Sequence, residues 1–295
     1  MTNQLAERVE ASLDAGVAKE VSELALMLAA EKGEAAAVLF YGSNLRTGEL
    51  EGVLDFYILR EGPRERGIWP RVSYHEREVG GRILRAKVAT MNLATFEAAA
   101  SGQSRDTTIW ARFVQPSALI WTAGAAERAA VVAAICSAAE TATRLAAVLG
   151  PKSGVSEDFW RALFRSTYKA EFRVEKPGRE DSILSVNKGH FDGLLTTAWK
   201  SQGISFGWHD DVLSPRIPGK EERRIRRWWT IRRWLGKPLN IARLVRATTT
   251  FDGAARYAAW KLERHSGVPV KVTPWREKHP ILAAPAVLWD VWRKR

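Results

Sequence analysis

Cysteine is nearly absent from this sequence of 295 residues. The one cysteine, Cys136, excludes an intrachain disulfide framework and is typical of a protein kept in a reducing compartment. Its alanine-rich, helical surroundings favour a packed thiol over a catalytic nucleophile. No stretch approaches the roughly 20 apolar residues that a membrane-spanning helix needs. The first residues contain acids and no apolar core, so we expect neither a signal peptide nor a typical transit peptide.

Acidic residues are scarce in only one part of the chain. Residues 201–295 contain 20 lysines and arginines against 8 acids, whereas the first 200 residues contain 25 of each. The whole net charge of +12 therefore belongs to the last third, which also holds eight of the thirteen tryptophans. A basic, tryptophan-rich segment is typical of binding to an anionic surface, either lipid headgroups or nucleic acid.

A glycine–serine turn after an apolar run is the most informative local pattern. Residues 37–41 form a short apolar run that predicts a buried strand, and Gly42-Ser43 ends it. Glycine lets the backbone approach a ligand closely, and serine adds a hydroxyl beside free backbone N–H groups. We therefore predict that this turn binds a phosphate; the alternative is an ordinary turn.

Asp55 lies in the second apolar run, residues 53–59. A charge inside such a strand is costly unless it binds something. A phosphate-binding turn followed by a strand-borne aspartate resembles the start of nucleotidyltransferases of the polymerase-β type, in which the aspartate holds Mg²⁺. The alternative is a structural partner for a nearby arginine. Tyr57 stands where a second carboxylate is usual, so another acid completes the site, or the site is divergent or inactive.

Two cations share one face of a later predicted strand. In residues 82–90, apolar side chains alternate with Arg85 and Lys87, which places both cations on the same side. This arrangement suits a negatively charged triphosphate. A solvated face at the edge of a sheet is the alternative.

The chain as a whole predicts an α+β fold in three units. We expect a polymerase-β-like nucleotidyltransferase domain, a mixed sheet with flanking helices, at residues 1–122. A helical domain follows at 123–205, and a basic, amphipathic, membrane-associating region at 206–295. Periodic apolar residues predict one helix over 3–32, and an alanine-rich stretch that ends at Gly150-Pro151 predicts a long helix over 125–149. Glycine and proline predict a linker over 203–220.

Residues 221–235 predict an amphipathic helix whose apolar and basic side chains separate imperfectly, because Arg232 interrupts the apolar side. Such a helix lies in a membrane interface with its arginines toward the lipid phosphates. The alternative is a helix packed on the body with a solvated basic face. The side chains that we expect to meet lipid are Arg226, Arg227, Trp228, Trp229, Arg233 and Trp234.

The order of these motifs resembles a known family, the soluble, mitochondrial-type phosphatidate cytidylyltransferases, also called CDP-diacylglycerol synthases. The resemblance runs in patches from about residue 38 to residue 245. The family's Tyr-Gly-Ser signature is similar to Tyr41-Gly42-Ser43, and its Leu-Asp-Phe strand is similar to Leu54-Asp55-Phe56. The family also lacks an acid at the position of Tyr57.

Further motifs follow in the same order. A family lysine falls on Arg85, and a Gly-Arg-Leu-Gln-Lys-Pro stretch is similar to residues 111–116, which contain Arg112. A later Tyr-Ser-Gly-Asp-Phe-Arg motif is similar to residues 168–173. Asn44 stands where the family has glycine, and Glu171 where it has aspartate.

The resemblance implies that CTP and phosphatidic acid give CDP-diacylglycerol and pyrophosphate, with Mg²⁺ as cofactor, in phospholipid biosynthesis. With the residues above it predicts Asp55, Ser43 and Arg85 as catalytic, and Asp55 and Ser43 as metal ligands. The predicted nucleotide-binding residues are Tyr41, Gly42, Ser43, Asn44, Lys87 and Arg112. The second metal ligand is left open among Glu61, Glu76, Glu78 and Glu171.

We expect a peripheral protein on the cytoplasmic face of a membrane, such as a bacterial inner membrane, with an anionic lipid surface as partner and no nucleic acid. Two other functions remain open. One is a nucleotidyltransferase acting on tRNA, another polynucleotide or a protein, whose basic region would bind the phosphodiester backbone. The other is a non-catalytic, membrane-bound scaffold of the same fold.

Overall fold

The computed structural model describes residues 4–67, 70–170 and 178–294. With 58% helix and 19% strand around a mixed five-stranded sheet, the protein is α+β, as predicted. The strands lie in the order β3-β4-β2-β1-β5, with β2 and β4 parallel and the other neighbours antiparallel. The strands of this sheet are β1 (Ala35–Tyr41), β2 (Leu54–Arg60), β3 (Arg71–Val79), β4 (Arg82–Asn92) and β5 (Ser117–Thr122).

Helices surround the sheet and form most of the rest of the described chain. Those before the last third are α1 (Gln4–Leu13), α2 (Lys19–Lys32), α3 (Ser43–Thr47), α4 (Leu93–Ala100), α5 (Thr108–Phe113), α6 (Ala125–Leu149), α7 (Ser156–Ala170), α8 (Arg179–Val186), α9 (Lys188–Phe191) and α10 (Leu194–Ser201). The last third contains α11 (Gly219–Thr250), α12 (Ala254–Ser266), α13 (Pro274–Lys278) and α14 (Pro280–Lys294).

A β-hairpin replaces the linker predicted at residues 203–220. Its strands are β6 (Ser205–His209) and β7 (Val212–Arg216), joined by Asp210 and Asp211. Both aspartates have positive φ, 47° and 63°, which a two-residue hairpin turn requires and which aspartate tolerates better than most residues. The glycine and proline of this stretch therefore lie in and around a hairpin.

The helix predicted over residues 3–32 is two helices, α1 and α2. The apolar residues of α1, Leu5, Val9 and Leu13, join the larger of two core clusters. Those of α2, such as Leu24 and Leu28, join the smaller cluster. The two clusters lie on opposite faces of the sheet, so one straight helix could not bury both sets. Periodicity alone does not show that the face changes at the break.

The sheet separates these two clusters because side chains alternate along each strand. Phe56 and Ile58 of β2 point to the smaller cluster with α2, whereas Tyr57 and Leu59 point to the larger one. The larger cluster continues through the helices of the predicted second domain as far as Trp229 of α11. The boundaries predicted at residues 122 and 205 therefore cross one continuous core.

Helix α6 is the central helix of that larger cluster, and its predicted bounds are confirmed. It is the one described helix long and apolar enough to cross a membrane, but 61% of its most apolar window is buried inside the protein. From the sequence we expected no apolar stretch of about the 20 residues that span a membrane, and α6 corrects that expectation. Cys136 lies on this helix, and burial, with nearby acids, raises the pKa of its thiol to about 11, as expected for a packed cysteine.

Candidate active site

The turn after β1 brings the backbone against Asp55. Gly42 has a φ of +96°, in the region that favours glycine. A Cβ atom on Gly42 would lie 3.1 Å from Oδ2 of Asp55. Backbone angle and space therefore both require glycine here. The structure thus brings together the turn and the aspartate that the sequence singled out.

Strand register places further polar side chains beside Asp55. Asp55 pairs with Tyr41 of β1 on one side and with Lys87 of β4 on the other. In the part of the chain that the structure describes, its carboxylate makes no hydrogen bond and no ion pair. Burial raises the pKa of this carboxyl, and the charges of Lys87 and Arg112 offset the rise only in part. Asp55 is therefore not the paired structural acid that we considered as an alternative.

Two cations face this carboxylate without forming an ion pair with it. Burial lowers the pKa of Lys87, and the neighbouring Asp55 partly restores it. Arg112 donates from Nη1 to the hydroxyl of Tyr57 at 2.9 Å, and its guanidinium lies 5.1 Å from the ring centroid of Tyr41. Tyr57, at the position where we looked for a second carboxylate in the sequence, thus orients an arginine instead. One acid and two cations around a glycine turn complement a metal ion bound to phosphates.

Asn44 does not have the position that we predicted for a nucleotide ligand. Its buried amide donates to the carbonyls of Glu49 and Glu51, each at 2.9 Å, and so holds the loop between α3 and β2. Ser43 is exposed, and its hydroxyl lies 3.4 Å from the side-chain oxygen of Asn44. Because α3 has only five residues, its dipole adds little, and the turn offers the Ser43 hydroxyl and backbone N–H groups.

Arg85 contacts groups of the protein that the sequence did not predict. Its Nε donates to Oε1 of Glu76 at 3.2 Å, and Glu76 accepts a second hydrogen bond from the hydroxyl of Tyr74 at 2.8 Å. The guanidinium of Arg85 lies 5.6 Å from the ring centroid of Trp260. In this structure Arg85 and Glu76 therefore form an ion pair with each other within the sheet, and the catalytic role of Arg85 stays a prediction.

The remaining candidates for a second metal ligand do not stand beside Asp55. Glu61 follows the opposite end of β2, about 20 Å away at roughly 3.3 Å per residue. Glu78 is exposed, farther along β3 than Glu76. Glu171 lies outside the described residues. Within the described ranges no group of three or more histidine, cysteine or acidic side chains is arranged to hold a metal.

Helix α12 borders this site, which the sequence did not predict. The ring of Tyr257 lies 5.4 Å from that of Tyr74, and Trp260 contacts Arg85. The charge of Asp55 contributes to a raised pKa of Tyr257, after burial, and Lys261 contributes to the lowered pKa of Lys87. Part of the basic last third of the chain therefore packs against the residues of the site. The basic and aromatic residues of α12 were the available signal, but nothing local indicated where they pack.

Helix α11 turns part of its amphipathic surface toward the protein. Trp229 is buried with its ring 6.3 Å from that of Trp110. Arg232 is buried and donates to the carbonyls of Gly102 and Ser104, and burial lowers the pKa of its guanidinium to about 10. The arginine that interrupts the apolar side thus satisfies buried carbonyls.

This packing corrects part of the predicted lipid contact. Trp229 is inside the protein in this structure and does not face a lipid surface, and Trp228 is half-buried with the guanidinium of Arg232 over its ring. Four of the six predicted residues are exposed: Arg226, Arg227, Arg233 and Trp234. Arg226 forms an ion pair with Glu222 one turn away.

Comparison of the sequence with protein-family models finds no match, and comparison with curated proteins finds none either. The functional assignment therefore depends on the motifs and on the geometry around Asp55.

Proposed function

We propose that this protein is a Mg²⁺-dependent nucleotidyltransferase that moves CMP from CTP to phosphatidate, giving CDP-diacylglycerol and pyrophosphate. The observation that carries the proposal is the unpaired carboxylate of Asp55 against the Gly42 turn, with Lys87 and Arg112 facing it. A metal–triphosphate complex presents a cation to the carboxylate and anionic oxygens to the two cations. The motif order shared with the cytidylyltransferase family supports the choice of CTP and phosphatidate.

The donor set at Asp55 fits Mg²⁺ when the substrate completes the coordination. Mg²⁺ is commonly held by one or two carboxylates together with substrate phosphates and water, so a cage of protein ligands is not required. Asp55 is half-buried and has no partner in the described chain, and the Ser43 hydroxyl lies on the adjacent turn. Bound there, Mg²⁺ would polarise the phosphoryl group and neutralise the leaving pyrophosphate.

In the proposed transfer, the protein itself forms no covalent bond to the substrates. A phosphate oxygen of phosphatidate forms a bond to the α-phosphorus of CTP, while the bond from that phosphorus to the bridging oxygen breaks. The bonding electrons leave with pyrophosphate. Because the attacking oxygen is already anionic, no strong general base is needed, and positioning supplies most of the rate. Lys87 and Arg112 hold phosphate charge, and Gly42 lets the backbone approach the phosphates.

A cavity next to the turn supports a nucleotide on that side. It has a volume of about 510 Å³ and borders α3 through Leu45 and Arg46 and the start of β5 through Ser117. Helices α1 and α9 form its other wall, with Arg8 and His190. This volume is within the range of about 300–1,000 Å³ that is usual for small-molecule sites. We assign it to the nucleoside part of CTP.

The exposed residues of α11 support attachment to a membrane. Arg227, Arg233 and Trp234 project outward, and each basic residue near an anionic surface adds roughly 1 kcal/mol. A few such residues with an inserted tryptophan are enough for reversible binding. The phosphate of phosphatidate is itself part of such a surface.

A specific observation favours a second candidate, a non-catalytic nucleotide-binding protein of the same fold. Two-metal transfer uses a cluster of acids, and Asp55 is the one acid that the described chain places at the turn. Such a protein would bind CTP without transferring CMP.

The deciding experiment incubates the full-length protein with α-labelled CTP, Mg²⁺ and vesicles of phosphatidic acid. We expect a lipid-soluble labelled product that is absent when Mg²⁺ is chelated. Calorimetry with CTP and Mg²⁺ identifies the second candidate, which binds nucleotide and forms no product. A gel-shift assay with RNA beside vesicle flotation tests the polynucleotide alternative. RNA binding without vesicle binding would contradict the lipid assignment.

A further inference from the structure

A cavity that the proposed reaction does not yet use lies within the last three helices. It has a volume of about 410 Å³ and is lined by α12, α14 and the segment around α13. Its walls are small and aliphatic, including Ala258, Ala259, Leu262, Val270, Ala283 and Val287. Few polar atoms are present to read the edge of a base or a sugar. The cavity therefore suits a hydrocarbon ligand.

The charged residues around the cavity are of one sign. Lys261 and Lys271 line it, together with His265 and Arg276, and the described residues that form its lining include no acid. Arg276 forms an ion pair with Asp290 of α14 at 3.6 Å, and Asp290 is outside the described lining. A hydrocarbon chain that ends in an anionic group matches an aliphatic cavity beside lysines.

The position of α12 connects this cavity with the candidate active site. Tyr257 and Trp260 of this helix pack on Tyr74 and Arg85 of the sheet, while Leu262 lines the cavity. Lys261 belongs to both surroundings: it lines the cavity, and it directly follows Trp260, whose ring packs on Arg85 of the sheet. An anionic group held by Lys261 would therefore lie at the wall of the cavity that is formed by the helix packed on the sheet.

The outer surface of the same unit carries exposed apolar side chains. Leu282, Trp289 and Trp292 of α14 and Trp275 of α13 are each more than half exposed. The rings of Trp289 and Trp292 lie 5.1 Å apart. Tryptophans on a basic surface are typical of the interface between a membrane and water. A lipid can therefore enter the cavity from a membrane on which this unit lies.

We propose that the cavity between α12 and α14 holds an acyl chain of phosphatidate and that Lys261 directs the lipid phosphate toward the Asp55 site. This inference rests on the proposed function, because it identifies the binding site of that reaction's lipid substrate. It also explains how a lipid headgroup reaches a carboxylate on a sheet without a membrane-spanning segment at the site.

Photo-crosslinking tests the location in the unmodified protein. Phosphatidate with a diazirine in one acyl chain is irradiated with the full-length chain in vesicles, and the labelled peptides are identified by mass spectrometry. We expect the label on α12 and α14, at residues such as Leu262 and Val287. Label confined to α11, or spread over the surface, overturns the proposal.

A pair of substitutions on α14 tests the cavity by filling it. Ala283→Phe places a large ring in the cavity, whereas Ala286→Phe makes the same change at an exposed position outside its lining. Calorimetry with the soluble dioctanoyl phosphatidate should show at least tenfold weaker binding for Ala283→Phe and no change for Ala286→Phe. Binding of CTP with Mg²⁺ should be unchanged in both, which also shows that they fold. Wild-type lipid affinity in Ala283→Phe contradicts the proposal.

Two further ligands separate the chain from the headgroup. Glycerol 3-phosphate, which has no chain, should bind weakly and equally to wild type and to Ala283→Phe. Octanoate should bind at least tenfold more weakly than dioctanoyl phosphatidate; equal binding would make this a fatty-acid site and overturn the phosphatidate assignment. Failure of the proposed function looks different: wild type then forms no labelled product although the cross-links still map to the cavity.

Discussion

Asp55 and Glu76 are two acids on the same face of one sheet, and each stands next to a cation of β4. Glu76 is paired, since Arg85 and the hydroxyl of Tyr74 both donate to one of its oxygens. Asp55 faces Lys87 and the Gly42 turn and has no partner in the described chain. In the sequence, Arg85 and Lys87 look equivalent, two positions apart on one face. The structure shows that Arg85 and Glu76 form an ion pair, whereas Lys87 and Asp55 lie side by side without forming one.

The cause of the difference is the surroundings of each acid. Glu76 lies on β3 together with Tyr74, whose hydroxyl donates to it, and Arg85 of the neighbouring β4 donates to it as well, so the carboxylate is satisfied within the protein. Asp55 has Gly42 on its other side, and glycine has no side chain that could pair with it. An unpaired, partly buried carboxylate costs free energy in the folded state, and binding a cation recovers it. The carboxylate of Glu76 therefore has a structural role, whereas our proposal assigns a functional role to the carboxylate of Asp55.

The largest expected effect comes from neutralising each acid in turn. Asp55→Asn should lower CDP-diacylglycerol formation by about 10³-fold, because several kcal/mol of stabilisation by the metal are lost. Glu76→Gln is the matched control and should keep activity within about threefold, since Glu76 touches only protein groups. Initial rates at saturating CTP and Mg²⁺ measure both. Near-normal turnover in Asp55→Asn would remove the metal role that we assign to it.

The second effect concerns the turn that keeps Asp55 unpaired. Gly42→Ala strains a positive φ and places a methyl group 3.1 Å from the Asp55 carboxylate, so activity should fall about 10²-fold through displacement of the carboxylate. Gly48→Ala is the control: Gly48 also has positive φ, 69°, but an added Cβ meets nothing within 4 Å. Both variants should lose on the order of 1 kcal/mol of stability. Equal loss of activity in the two would mean that backbone strain alone is responsible.

The third effect separates the two cations of β4. Lys87→Met should lower kcat/KM for CTP about 30-fold, because a charged hydrogen bond to phosphate contributes roughly 2 kcal/mol. Arg85→Met removes the partner of Glu76 and should act mainly on the melting temperature. A larger kinetic defect in Arg85→Met than in Lys87→Met would restore the catalytic role that the sequence predicted for Arg85.

The smallest effect is on stability and depends on pH. Burial raises the pKa of the Asp55 carboxyl above its ordinary 3.8, so the contribution of this group to stability is complete below that pH and is lost as pH rises through the raised value. At pH 7 and without Mg²⁺, Asp55→Asn should therefore raise the melting temperature, on the order of 2 °C, and Glu76→Gln should lower it. Melting curves from pH 3 to pH 8 measure this. A lower melting temperature for Asp55→Asn at pH 7 would indicate that the carboxylate is paired after all.

Local patterns in the sequence predicted two strands of the sheet and the long helix α6. The strands β1 and β2 and the whole of α6 follow from apolar runs and periodicity bounded by glycine and proline. The adjacency of Gly42 and Asp55 was also predictable, because a short connection joins neighbouring antiparallel strands. The same kind of pattern failed at the first helix, where the outcome depends on which face of the sheet each half meets. It also failed at the hairpin of β6 and β7, which is bridged through Leu213 to the distant Gly154.

What the sequence determined by itself is the kind of chemistry available: a glycine that permits a left-handed turn, one aspartate in an apolar strand, and cations on alternating positions. These follow from the conformational freedom of glycine and from the period of a β-strand, which are local properties. Only the tertiary structure decided which carboxylate stays unpaired, that Asn44 holds a loop and Arg232 a set of carbonyls, and that α12 lies between the sheet and an aliphatic cavity. Those outcomes depend on contacts between residues distant in sequence, for which no local pattern carries information.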